Sequence, residues 1–144
     1  MPHGSSDQKK PYFDEELHAA YLSTKYTCGR YALKIGRSHP DFDDFLVQED
    51  FSTYVFITAW NPRSKALSEA ENLARGQKLQ LRLKELGLVF MPAAAHDPSG
   101  KWAVEKGVFI FNADTEVVLK LATIWEQNAV VIGVRGGIPE LRWA

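Results

Sequence analysis

Two carboxamides, a carboxylate and a guanidinium fall close together at Asn61, Glu71, Asn72 and Arg75. An apolar run from Tyr54 to Ala59 reads as a buried strand, Asn61-Pro62 breaks it, and a helical pattern follows with Asn72 and Arg75 in its first turns. Residues in a helix advance by about 100° each, so Leu79, Leu83 and Leu86 mark an inward stripe. Continued backward, that stripe reaches Gly76 and Asn72, with Arg75 on its margin. Strand end and helix start are therefore expected to bring Asn61, Asn72 and Arg75 together. The free amide protons and partial positive charge of the helix N-terminus would favour a carboxylate or phosphate there. Each residue also has a plainer structural use. A buried Asn bonds backbone groups, Arg75 pairs with Glu69 or Glu71, and Gly76 permits close helix packing.

Familiar catalytic and cofactor patterns do not stand out elsewhere. The four histidines are scattered without the paired spacing of a zinc site, and a single cysteine argues against a structural one, so no metal is expected. Ser99-Gly100-Lys101 lacks the upstream glycine and following hydroxyl of a phosphate loop. Gly133 to Gly137 leads to Pro139 and leaves no room for a dinucleotide-binding helix, so no cofactor is expected either. His96, Asp97 and Ser99 are neighbours on one turn, a poor arrangement for a catalytic triad.

The elements that must hold these residues can be read in order. Residues 1–10 are polar and read as a disordered tail ahead of a single domain over 11–144. Asp14 is placed to cap a helix to about Thr24, and Tyr31 to Ile35 alternate as a strand closed by Gly36. A short acidic helix is expected around Pro40 to Leu46. A strand follows over about Ser52 to Trp60, then a long helix from Ser64 or Ser68 to Leu86, where Gly87 ends it. Ser68 with Glu71 has the spacing of a capping box. Leu88–Met91 and Val104–Phe111 read as strands flanking a turn-rich tip. A second long helix runs from Asp114 or Thr115 to about Asn128, which is expected to be its left-handed cap, and a strand covers Ala129–Val134. Leu141–Trp143 is a further edge piece. Without its first strand this order is βαββαβ, so the expected fold is an α+β two-layer sandwich. It would have an antiparallel sheet with two long helices on one face, ferredoxin-like in order, plus an extra N-terminal helix and strand.

Composition sets the outer bounds. At 144 residues, with 45% hydrophobic and 24% charged residues, the chain suits one globular domain, and a net charge of −1 gives no electrostatic reason to favour nucleic acid or membrane. The lone Cys28 cannot form an internal disulfide, no signal segment is evident, and no apolar run reaches membrane-spanning length, so a cytoplasmic location is expected.

Thr58-Ala59-Trp60-Asn61-Pro62, Glu71-Asn72 with Arg75, and Gln127-Asn128-Ala129 leading into an apolar strand together resemble an uncharacterised bacterial family, domain of unknown function three-two-nine-three. The resemblance spans roughly Tyr26 to Gly136. It implies a small bacterial intracellular domain with a polar signature, and it adds Glu105, after Trp102, as a further site residue. It implies no activity. If Glu105 or His96 reached the Asn61, Asn72 and Arg75 group, one would serve as general base of a hydrolase or transferase while Arg75 held developing negative charge. The first expectation is a binding or regulatory module for a small anionic metabolite or nucleotide, with Asn61, Glu71, Asn72 and Arg75 as ligand-binding residues. Such an enzyme is second. An RNA-binding or protein-interaction module ranks third: Val108 stands where a stacking ring belongs, and a protein partner or homo-oligomer would use exposed apolar surface around Trp102, Phe109 or Trp143.

Overall fold

The computed structural model describes residues 15–144. The tail over 1–10 and the expected cap Asp14 lie outside these residues. Four helices and seven strands follow in the order α1 (Glu15–Ser23), β1 (Lys25–Cys28), β2 (Tyr31–Leu33), α2 (Pro40–Gln48), β3 (Thr53–Ile57), α3 (Glu69–Glu85), β4 (Val89–His96), β5 (Glu105–Phe111), α4 (Thr115–Ile124), β6 (Ala129–Val134) and β7 (Glu140–Trp143), with a single 3-10 turn at Pro62–Ser64 between β3 and α3. The fold is α+β. All strands join one sheet in the spatial order β2-β1-β4-β5-β3-β6-β7, and every neighbouring pair is antiparallel. The sheet curls until its two margins approach, where Gly36 N–H donates to the carbonyl of Pro139 at 2.9 Å.

Alternation along the strands sorts side chains onto two faces, and both are covered over part of their area. Tyr54, Phe56, Phe109 and Phe111 point inward to an aromatic core closed by Leu17 and Tyr21 of α1 and Phe42 and Leu46 of α2. Cys28 lies in this core, and burial pushes its thiol up to about 11. Val55, Ile57, Val108 and Ile110 point outward and meet Leu79 and Leu83 of α3 and Val118, Leu121 and Ala122 of α4. The two long helices thus pack against one face of the sheet, and α1 and α2 cover part of the other. The acidic segment, already read as a helix, carries Phe42 into a cluster of rings on β2, β3 and β5. Phe109 is 1% exposed, and Trp102 and Trp143 pack partly buried against the same cluster, so these three residues form no exposed apolar patch.

Several boundaries differ from expectation for local reasons. Strand β1 was not anticipated, since four residues carry too little alternation to show. Strand β4 runs through Pro92, which lies beyond the last residue paired with β1, where an edge tolerates a missing N–H. The expected turn near His96 therefore starts only at Asp97, whose carboxylate accepts from the backbone N–H groups of Ser99, Lys101 and Trp102. Helix α3 starts at the Ser68–Glu71 capping box and not at Ser64, and Gly87 follows it at φ 70°. Its buried stripe is Asn72, Leu79 and Leu83, because Leu86 has already become the cap. Helix α4 stops at Ile124. The left-handed position after it is Glu126 at φ 58°, not Asn128, and Ile124 turns outward.

Candidate functional site

Beyond Ile57 the β3 chain continues past β5 without ladder bonds. Thr58 holds the two together by donating its hydroxyl to the Lys106 carbonyl at 2.5 Å and accepting the Trp60 N–H at 3.1 Å. Asn61 then takes a left-handed conformation, φ 49° and ψ 67°, which a short amide side chain tolerates better than most. That turn aims its side chain inward. Its Nδ2 donates to Glu105 Oε2, and its Oδ1 accepts from Leu67 N at 3.0 Å and Asn72 Nδ2 at 2.8 Å. In return Asn72 Oδ1 accepts the Asn61 backbone N–H at 2.8 Å. The two amides thus clasp each other across the turn, as the helical phase of Asn72 predicts. Glu105 joins them although it lies 44 residues from Asn61, because the inner-face position at the start of β5 falls beside the end of β3. All three side chains are buried, Glu105 to 1% exposure.

Arg75 comes to the same end of the sheet with its donors directed at main chain. Its Nε donates to the Ala59 carbonyl at 2.6 Å and one terminal nitrogen donates to the Trp125 carbonyl at 2.7 Å. The other lies 3.7 Å from the Glu126 carboxylate, and the guanidinium sits 5.5 Å from the Trp125 ring centroid. It ties the end of α4 to the strand leaving β3. Gln127 adds a parallel tie, donating to the carbonyls of Trp60 and Trp125 at 3.0 and 3.2 Å. Asn128 donates to Ser64 Oγ at 2.8 Å. Burial pushes the Tyr21 phenol of α1 above its ordinary range, with the neighbouring Ser64 hydroxyl acting in the opposite direction.

Glu71 stands apart. It is exposed, and its carboxylate accepts from the Ser68 hydroxyl and backbone N–H in the capping box. With Glu69 it places two acids on the first turn of α3, where they already complement the helix dipole. His96 is not brought to this group. It sits on the outer face of β4, its Nε2 2.9 Å from the Thr27 hydroxyl of β1, while Ala95 beside it faces inward toward Tyr26.

A cleft of about 90 Å³ opens next to the Arg75 tie, between α3 and the outer face of β5. Trp60, Gly76, Gln77, Gln80 and Lys106 are among its walls. Gly76 does not serve tight packing, since a Cβ there would meet only the Trp60 ring, at 3.5 Å from Nε1. The missing side chain leaves that indole N–H facing the cleft, and it has no hydrogen-bond acceptor among the described residues. Lys106 is exposed and pairs with no described carboxylate. Gly107 is a different case: a Cβ there would lie 2.6 Å from the Ile57 carbonyl, so the strands close tightly at this point. Sequence reasoning did not single out Lys106, Gln77 or the Trp60 N–H. The available signal was the spacing of Gln77 and Gln80 around Gly76 on one helical face.

Among the described residues no group of three or more His, Cys, Asp or Glu side chains is gathered for a metal, and no helix is long and apolar enough to cross a membrane. No curated protein and no solved structure matches the chain. A family model described as a protein of unknown function (DUF3293) matches residues 57–130. That stretch holds Asn61, Arg75, Glu105 and the cleft, and over half of its length the chain belongs to this family of proteins of unknown function.

Proposed function

We propose that this domain is a binding module for a small ligand that presents an anionic group to the cleft between α3 and β5. The observation that carries the reading is the set of unengaged donors there: the Trp60 indole N–H exposed by Gly76, with the Lys106 ammonium beside it. Donors without acceptors suit carboxylate or phosphate oxygens, and a partly enclosed site strengthens each such bond. The anion falls near the strand end and helix start expected from sequence, with Lys106 in the role first given to Arg75. Asn61, Asn72 and Arg75 then hold the cleft wall in place, and Glu71 caps the helix that forms it. The spatial order β4-β5-β3-β6, with α3 and α4 against one side, supports taking this part of the chain as a ferredoxin-like unit to which β1, β2 and β7 are added.

A thermal-shift screen of the wild type and Lys106→Gln against nucleotides, sugar phosphates and small carboxylates tests this. A true ligand at about 100 times its Kd contributes about 2.7 kcal/mol of native-state stability, a rise of several degrees for a chain of this size. That rise should shrink in Lys106→Gln. No response from any anionic compound would end the reading. A second reading, a hydrolase or transferase, is favoured by one observation, the buried Glu105 carboxylate held by the Asn61 amide. It would require Glu105→Gln to abolish turnover of a compound that still binds.

A further inference from the structure

The outer face of the sheet is only partly roofed. Helices α3 and α4 cover β3, β5 and β6, whereas the outward residues at the other side of the sheet are left facing solvent or half-buried. Register fixes who stands there. Lys106 lies opposite Ala94, and Ala94 lies opposite Thr27; one step along, His96 lies opposite Lys25. Because Tyr26, Ala95 and Glu105 point inward, Lys25, Thr27, Ala94, His96 and Lys106 all point outward. A row of polar side chains therefore crosses three strands, from the Trp60 indole through Lys106 to His96 and Lys25, and none of these strands sends a carboxylate to that face. Neither lysine forms an ion pair with a described carboxylate. The Thr27 hydroxyl, 2.9 Å from His96 Nε2, fixes the imidazole on this surface.

We propose that the ligand of the cleft carries two anionic groups, one held by Trp60 and Lys106 and the other by Lys25 and His96. This rests on the cleft being the binding site and adds the class of ligand that it takes. Strand spacing of ~4.8 Å and a rise of ~3.4 Å per residue separate the Lys106 and Lys25 Cα atoms by about 12 Å. Side chains stand roughly perpendicular to a sheet, so the two ammonium groups keep a comparable separation and match two anionic groups several bonds apart better than a single one. The sheet between them is Ala94 with Thr27 beside it, small and uncharged, and suits a short linking chain. Two phosphates and two carboxylates share this chemistry, and the probes separate them.

Isothermal titration of the whole chain with acetate, malonate and adipate, and with inorganic phosphate, pyrophosphate and tripolyphosphate, tests the inference at low and moderate salt. The longer member of each series should bind about fivefold more tightly than the single-group member, with an advantage that salt weakens. Malonate, with charges too close together, should gain little over acetate. The series that shows the length preference identifies the group. Lys25→Gln, a change at an exposed position, should erase that preference, and Lys106→Gln should weaken every member. Equal binding across each series, or a preference untouched by Lys25→Gln, overturns the two-group inference, while weakening by Lys106→Gln would keep the cleft itself. Binding indifferent to Lys106→Gln, or no binding at all, overturns both.

Discussion

Two polar regions lie side by side where β3 ends, and they differ in what their donors do. In the cluster of Asn61, Asn72, Glu105 and Arg75, donors are spent inside the protein: amide on amide, amide on carboxylate, guanidinium on two carbonyls. In the cleft beyond Gly76, the Trp60 N–H and the Lys106 ammonium face outward with no described acceptor. A donor engaged to main chain contributes to folding and is withdrawn from a ligand, and exchanging one role for the other leaves a buried carbonyl without its partner. The first region is thus a brace, and the second is the receptor we propose. Clustering of polar residues in the sequence marks the neighbourhood, and only the direction of each donor says which of the two it is.

The sharpest way to break this contrast is to remove the brace. Asn61→Ala removes three side-chain bonds, one of them to the buried Glu105 carboxylate, and places a Cβ residue at φ 49°; urea denaturation should show a loss of about 3–5 kcal/mol. Asn61→Gly, which relieves only the backbone term, should recover about 1 kcal/mol of that loss. Next in size is Arg75→Met, expected to cost about 2 kcal/mol through two charge-assisted bonds and the contact with Trp125, with no change in anion affinity beyond that of a looser cleft. An Arg75→Met variant of full stability would mean that the guanidinium is available to a ligand after all. Smallest, and opposite in sign, is Gly76→Ala. Helix propensity should raise stability by up to about 1 kcal/mol, since a Cβ meets only the Trp60 ring at an ordinary 3.5 Å. The same methyl stands over the indole N–H, so anion binding should weaken as the melting temperature rises. Both quantities moving together would merge the two regions into one.

What the sequence disclosed follows from the range over which its signals act. Ser68 with Glu71 and the following Gly87 framed α3, and phase alone turned Asn72 toward the sheet; these are local rules within a few residues. Ala129–Val134 was equally plain, a short apolar run between turn residues. Arg75 was correctly brought to the strand end, but its acceptors include the carbonyl of Trp125, fifty residues away and without any side-chain signature. Backbone acceptors cannot be read from residue types, so the guanidinium looked available. The part that α2 plays in roofing the inner face was hidden for a related reason: α2 is short, and what makes it a core element is the curl of the sheet around Phe42. Lys106 needed the register of β4 and β5 before its neighbours could be named.

The bond from Gly36 to Pro139 has a consequence for assembly in the test tube. It joins segments adjoining β2 and β7, the two marginal strands, which come from opposite ends of the described chain and meet only when everything between them has folded. Such a closure makes the chain rich in non-local pairings and therefore slow to fold. Until it forms, both margins present unpaired main-chain groups; once it has formed, two strands of only three and four residues bend toward each other and offer little to a neighbouring molecule. Aggregation during refolding should accordingly be a risk of the open sheet and not of the finished one, and it should decline with dilution at the start of refolding without depending on the concentration of folded protein.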